Sequence, residues 1–113
     1  MNLIEETKGA LSMEIRSNSR GSEYLEAVID AKDLDLLNSI LRKYLGPAAK
    51  ESGKEVNLPE EIQKVVDALG GLRNEQSFFC KQDGNIVTYS AIWPWQSDPS
   101  KVTLKSGKLV LAV

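Results

Sequence analysis

No histidine occurs anywhere in the 113 residues, and the one cysteine, Cys80, has no second thiol to pair with. Losing imidazole removes the commonest general base, the commonest metal ligand and the Ser-His and Cys-His nucleophile pairs together. A structural zinc site, which takes four Cys or His ligands, falls to the same count. A lone cysteine forms no internal disulfide and fits a reducing compartment. To act as a nucleophile, Cys80 would need a nearby cation or helix N-terminus to lower its pKa. Its neighbour Lys81 points to the opposite face of the strand expected there, so the simpler expectation is a small buried hydrophobe between Phe78 and Val87.

Three further stretches carry the residue types of a site without its spacing. "DAKDLD" supplies Asp30, Asp33 and Asp35 for a calcium ion but lacks the glycine and distal glutamate of an EF-hand loop, and Asp33 is better used as a helix cap. "GPAAKESGKEV" has the glycines and lysine of a phosphate-binding Walker loop, yet six residues separate Gly46 from Gly53 where that loop has four, and Glu55 stands where the metal-binding Ser or Thr belongs. Ser22 and Ser90 lie in no G-x-S-x-G nucleophile elbow. What remains to an enzyme is acid-base chemistry by carboxylate, tyrosine or lysine, in a pocket between helices and sheet with Tyr44, Tyr89 and Glu61 as its polar groups. Folds of this size do host such cofactor-free catalysts and small-molecule binders.

The richest binding chemistry lies in "AIWPWQSDPS", Ala91 to Ser100, which holds both tryptophans and two of the four prolines. Pro94 has no N–H for a strand ladder and biases Trp93 toward extended backbone, so the strand ends or becomes an edge there. Trp93 is expected to cap the core. Trp95 falls on a proline-stiffened connection, where a large amphipathic ring anchors a partner at little cost in entropy; its rival expectation is to fold back over the hydrophobic edge. Trp93, Pro94, Trp95 and Gln96 are therefore the candidate partner-binding residues. The leading reading is a non-catalytic binding or regulatory module, acting through a protein partner or a second copy of itself and needing no cofactor and no metal. The alternative is the small enzyme or small-molecule binder just described.

Charge and hydropathy limit the partners. A net charge of -2 gives no overall attraction to phosphate. Only the tail is one-signed, with Lys101, Lys105 and Lys108 and no acid after Asp98, and three lysines on a short hairpin read as a solvated face rather than a nucleic-acid site. No apolar run approaches the roughly 18 residues of a membrane helix, and "MNLIEETKGA" meets acid before base, unlike a secretion signal. The expectation is a soluble cytoplasmic protein without a membrane partner. At 42% hydrophobic and 27% charged residues the composition matches a globular chain rather than a disordered or fibrous one, and its length suits a single domain over residues 1–113.

The elements that must position these residues follow from periodicity. Leu11, Met13 and Ile15 alternate with polar residues, "SNSRGS" supplies turn formers, and Leu25, Ala27 and Ile29 alternate with Tyr24, Glu26 and Val28, which predicts a hairpin of 11–16 with 23–29. From Leu34 the period becomes helical, with Leu37, Ile40, Leu41, Tyr44 and Leu45 on one stripe, Asp33 as N-cap and Gly46-Pro47 as stop. A second helix starts at Pro59 with the stripe Ile62, Val65, Val66 and Leu69, and ends at Gly70-Gly71. The connection between the helices is long, so it holds either an extra turn or a solvated, candidate functional loop.

Period two then returns. Asp83-Gly84, read as a type I′ turn, sets Gln82 opposite Asn85, Cys80 opposite Val87, Phe78 opposite Tyr89 and Gln76 opposite Ala91. These residues share a core face with Trp93, and Phe79, Lys81, Ile86 and Thr88 share a mixed face. Ser106-Gly107, read the same way, makes a last hairpin with Leu104 opposite Leu109 and Val102 opposite Leu111, its lysines outward at a sheet edge. The expected order is β-β-α-α-β-β-β-β: an α+β fold in which two helices pack on one face of a mostly antiparallel sheet.

Overall fold

In the computed structural model, which describes residues 2–21, 23–54 and 56–111, the chain forms three α-helices and one five-stranded antiparallel sheet. Ser22 and Glu55 lie outside the described residues. The helices are α1 (Leu3–Ala10), α2 (Leu34–Leu45) and α3 (Glu60–Ala68); the strands are β1 (Met13–Ile15), β2 (Leu25–Asp30), β3 (Ser77–Asp83), β4 (Ile86–Pro94) and β5 (Lys101–Val110). The spatial order is β1-β2-β5-β4-β3, so the last strand in sequence occupies the middle. The α+β class holds.

Each helix has a local cause. Asn2 accepts a hydrogen bond from the Glu5 N–H at 2.9 Å, and Leu3, Ile4 and Thr7 then bury one side of α1. This helix went unread in the sequence. A 3-10 turn, Ala31–Asp33, leads into α2, and Asp33 occupies the cap position without a side-chain capping bond. Gly46 ends α2 at a φ of 79°, its N–H bonded to Arg42 O. Pro59 is the cap of α3 rather than its first helical residue.

The sheet is covered on both faces. Leu25, Ala27, Ile29, Phe79, Ile92, Val102 and Leu104 form one core with α1 and α2, and Phe78, Val87, Tyr89 and Ala91 form another with Ile62, Val65 and Val66 of α3. The two expected helices do not share a face: α2 packs beside α1 on one, and α3 lies on the other. Two apolar faces explain why β3 and β4 show hydrophobic residues at both parities.

Two registers correct the expectations. The β3–β4 turn is Gly84-Asn85, which pairs Asp83 with Ile86, Cys80 with Tyr89 and Phe78 with Ala91. A type I′ turn on Asp83-Gly84 requires positive φ at Asp83, whereas every positive φ among the described residues belongs to glycine, here Gly84 at 62°. The shift is two residues, so every side chain keeps its expected face.

The last hairpin does not exist. Lys101 to Val110 is one strand, paired to β2 on one side and β4 on the other. Ser106 is buried against Ser90, and a Cβ on Gly107 would meet Tyr24 Cδ1 at 3.0 Å and the Tyr89 hydroxyl at 3.1 Å. The glycine marks close approach of two rings rather than a turn.

The interhelical segment is built in. Ala49 and Lys50 bond Phe78 on the outer edge of β3, which covers the start of that edge. Lys50 is 7% exposed, and its Nζ donates to Asn74 O and Gln76 O at 2.8 Å each.

Candidate functional site

The structure disperses most of the residues singled out for catalysis. Tyr89 lies on the α3 face, its ring stacked 6.4 Å from that of Phe78. Tyr44 is on the other side of the sheet, where its hydroxyl donates to Glu6 Oε1 at 2.9 Å. Glu61 sits on the exposed side of α3 and accepts from Gln82 Nε2 at 2.7 Å. These three do not converge on one substrate. Cys80 faces the α3 core, as expected, and burial pushes its thiol pKa up. Asp30 is engaged by Lys101 at 2.6 Å. Among the described residues no three Cys, Asp or Glu side chains cluster to hold a metal ion.

The tryptophan segment, by contrast, borders a groove. Trp93 points to the α3 face and is half-buried, with Lys105 Nζ 5.0 Å from its ring centroid. This places a cation over the electron-rich face of an indole. Pro94 is the last residue of β4 and pairs with Val102. Trp95 turns back onto β5: its N–H bonds Lys101 O at 3.1 Å and its indole N–H donates to Thr103 Oγ1 at 2.8 Å, leaving the ring half-buried. Its geometry is that of the rival expectation. Gln96 is exposed.

α3 covers β3, β4 and, at Leu109, one end of β5, and leaves the Glu26 and Thr103 side of this face open. Its end, from Leu69 through the left-handed Gly70 and Gly71 to Arg73, forms one wall of an open groove of about 510 Å³. Trp93 and Thr103 line its floor, and Glu26 and Lys105 line the opposite wall. The carboxylate of Glu26 is held in place by Asn18 Nδ2 at 3.0 Å and the Tyr24 hydroxyl at 2.9 Å, with Lys105 Nζ at 3.9 Å. Burial alone would raise its pKa; the two hydrogen bonds and the lysine outweigh it and keep the carboxyl below its ordinary range. Tyr24 moves the other way, pushed up first by burial and then by its bond to Glu26. The groove therefore presents fixed charges around an aromatic floor.

Of the four candidate residues Trp93 lines the groove, and Glu26, Arg73 and Lys105, which line it too, were not among them. Glu26 and Lys105 are opposite-charge partners in the β2–β5 register, a signal that exists only once those strands are known to pair. The expected lysine face also dissolves, because Lys101 and Lys105 lie on the α3 side next to Asp30 and Glu26 while Lys108 lies on the other.

The groove lies on an antiparallel sheet sandwiched between helices in an α+β fold. No protein-family model, no curated protein and no solved structure matches the chain. No helix among the described residues is long and apolar enough to cross a membrane.

Proposed function

We propose that this protein is a non-catalytic module that binds an acidic, partly apolar segment of a protein partner in the groove beside the Trp-Pro-Trp segment. The observation that carries the reading is Trp93 lying under Lys105, across from Arg73, in a groove too open to shield a reaction from water. An aromatic floor supplies apolar area with few rotamers to freeze, and the rim cations select against basic segments. Arg73 is exposed and makes no ion pair within the described residues. It is thereby left to meet a carboxylate. Trp95 contributes by bracing the start of β5 through Thr103, and the unpaired thiol of Cys80 fits a cytoplasmic setting.

The test is selection of a random peptide library, displayed on phage, against the immobilised protein. Enriched peptides should combine Asp or Glu with an apolar residue, and Arg73→Glu and Lys105→Gln should each weaken them about three- to tenfold without changing the circular dichroism. Enrichment of basic peptides, or binding indifferent to both substitutions, overturns the reading. Sedimentation of the protein alone separates the competing occupant, a second copy of the chain, from a foreign segment.

A further inference from the structure

A second cleft lies on the opposite face, between the start of α1, the end of α2 and the sheet. Its roof is apolar, formed by Leu3, Ile4 and Leu45. Tyr44 stands at its side, its hydroxyl fixed on Glu6 and Lys43 Nζ 5.3 Å from its ring. The volume is about 220 Å³. That is below the roughly 300–1,000 Å³ of pockets that take drug-sized molecules, so the cleft suits a short acyl chain or a single ring.

Its floor is set by register. Lys81 pairs with Thr88, and Thr88 pairs with Lys108, so the three form one row across β3, β4 and β5 on the α1–α2 side. Strands lie about 4.8 Å apart, which sets the two lysine Cα atoms roughly 10 Å apart with the threonine between them. Neither ammonium has an ion-pair partner among the described residues, and both side chains are exposed. Glu23 also lines the mouth, leaving two cations against one carboxylate. The next row outward pairs Ile86 with Val110, which are 41% and 69% exposed. The lysines thus interrupt apolar surface on both sides, where an isolated solvated charge would have no apolar neighbours to separate.

We infer that this cleft binds a small amphiphilic anion, its apolar body under Leu3, Ile4 and Leu45 and its carboxylate between Lys81 and Lys108. The apolar part gains by leaving water, and the head gains a two-point electrostatic clamp with the Thr88 hydroxyl as an added donor. This site is on the other side of the sheet from the Trp93 groove and stands independently of it.

Octanoate and its uncharged analogue octanamide, titrated at neutral pH into the labelled protein and followed by two-dimensional amide NMR, test the inference. Octanoate should give saturable shifts at Ile4, Tyr44, Leu45, Lys81, Thr88 and Lys108, and octanamide should bind several-fold more weakly. The double variant Lys81→Gln/Lys108→Gln should weaken octanoate roughly threefold or more while leaving octanamide unchanged. The same spectra report whether the variant folds. As a second handle, Thr88→Tyr should block both ligands by filling the floor. Absence of saturable shifts, shifts located elsewhere, or equal response to the two ligands overturns the site.

Discussion

The hydroxyls of Ser90 and Ser106 lie 2.7 Å apart in the buried centre of the sheet, directly opposite each other on β4 and β5. Ser106 Oγ also reaches Tyr89 O at 3.2 Å. A consistent chain of donors has Ser90 donating to Ser106 and Ser106 donating to the carbonyl. The pair sits on the α1–α2 side of the sheet, Ser90 fully buried and Ser106 2% exposed at the floor of the second cleft.

The two serines should therefore differ on mutation. Ser106→Ala strands the Ser90 hydroxyl and should cost about 1–3 kcal/mol, whereas Ser90→Ala leaves Ser106 bonded to Tyr89 O and should cost about 1 kcal/mol or less. The double substitution should fall below the sum of the two. Urea denaturation of the three variants checks this, and equal costs with simple additivity would reject the donor order.

Lys50 makes a comparable prediction at the sheet edge. Its ammonium bonds Asn74 O and Gln76 O, so Lys50→Met keeps the packing of the stem but leaves both carbonyls without their donor. A loss of about 1.5–3 kcal/mol is expected. Proteolysis should speed up at segment 51–58, because Lys50 ties that segment to the chain before β3. An unchanged midpoint and cleavage pattern would show the ammonium to be incidental.

All three tyrosines have raised pKa values: Tyr24 and Tyr89 chiefly through burial, Tyr44 chiefly through its bond to the Glu6 carboxylate. Above the ordinary value near 10 the unfolded chain releases phenolic protons that the folded chain retains. The folded state then holds more protons, so stability falls as pH rises. The contribution is whole below about pH 10 and erodes above it. Phenolate absorbance should rise together with loss of circular dichroism; a tyrosine titrating near 10 in the folded protein would contradict its placement.

How much of this was legible in the sequence depended on whether one face or two were apolar. The stripe from Leu37 to Leu45 has an unbroken helical spacing, and the structure makes it α2. The parity of Phe78, Val87, Tyr89 and Ala91 was equally clear, and survives a turn displaced by two residues. In β5 the apolar parity changes. Val102 and Leu104 face α1 and α2, while Leu109 packs toward α3. A hairpin at Ser106-Gly107 mimics that change by reversing the chain, so pattern alone cannot separate it from a strand buried on alternate faces. The N-terminal helix was readable in Asn2 and Glu5, an N-cap three residues ahead of an acid, with Leu3, Ile4, Thr7 and Leu11 behind it. The Trp93 groove was half legible: the indole is local, but Glu26 and Lys105 are far apart in sequence and meet only across β2 and β5.

The sheet order β1-β2-β5-β4-β3 has a bearing on how the protein is made. β1 and β2 are synthesised well before β5, so β2 has one rim unsatisfied until β5 arrives, whereas β5 follows β4 closely and extends the β3–β4 hairpin locally. Joining the two parts of the sheet requires Asp30 and Lys101, 71 residues apart, to pair, and this β2–β5 contact is the step of long loop closure. The open rim of β2 is the edge that another chain can pair with until β5 covers it.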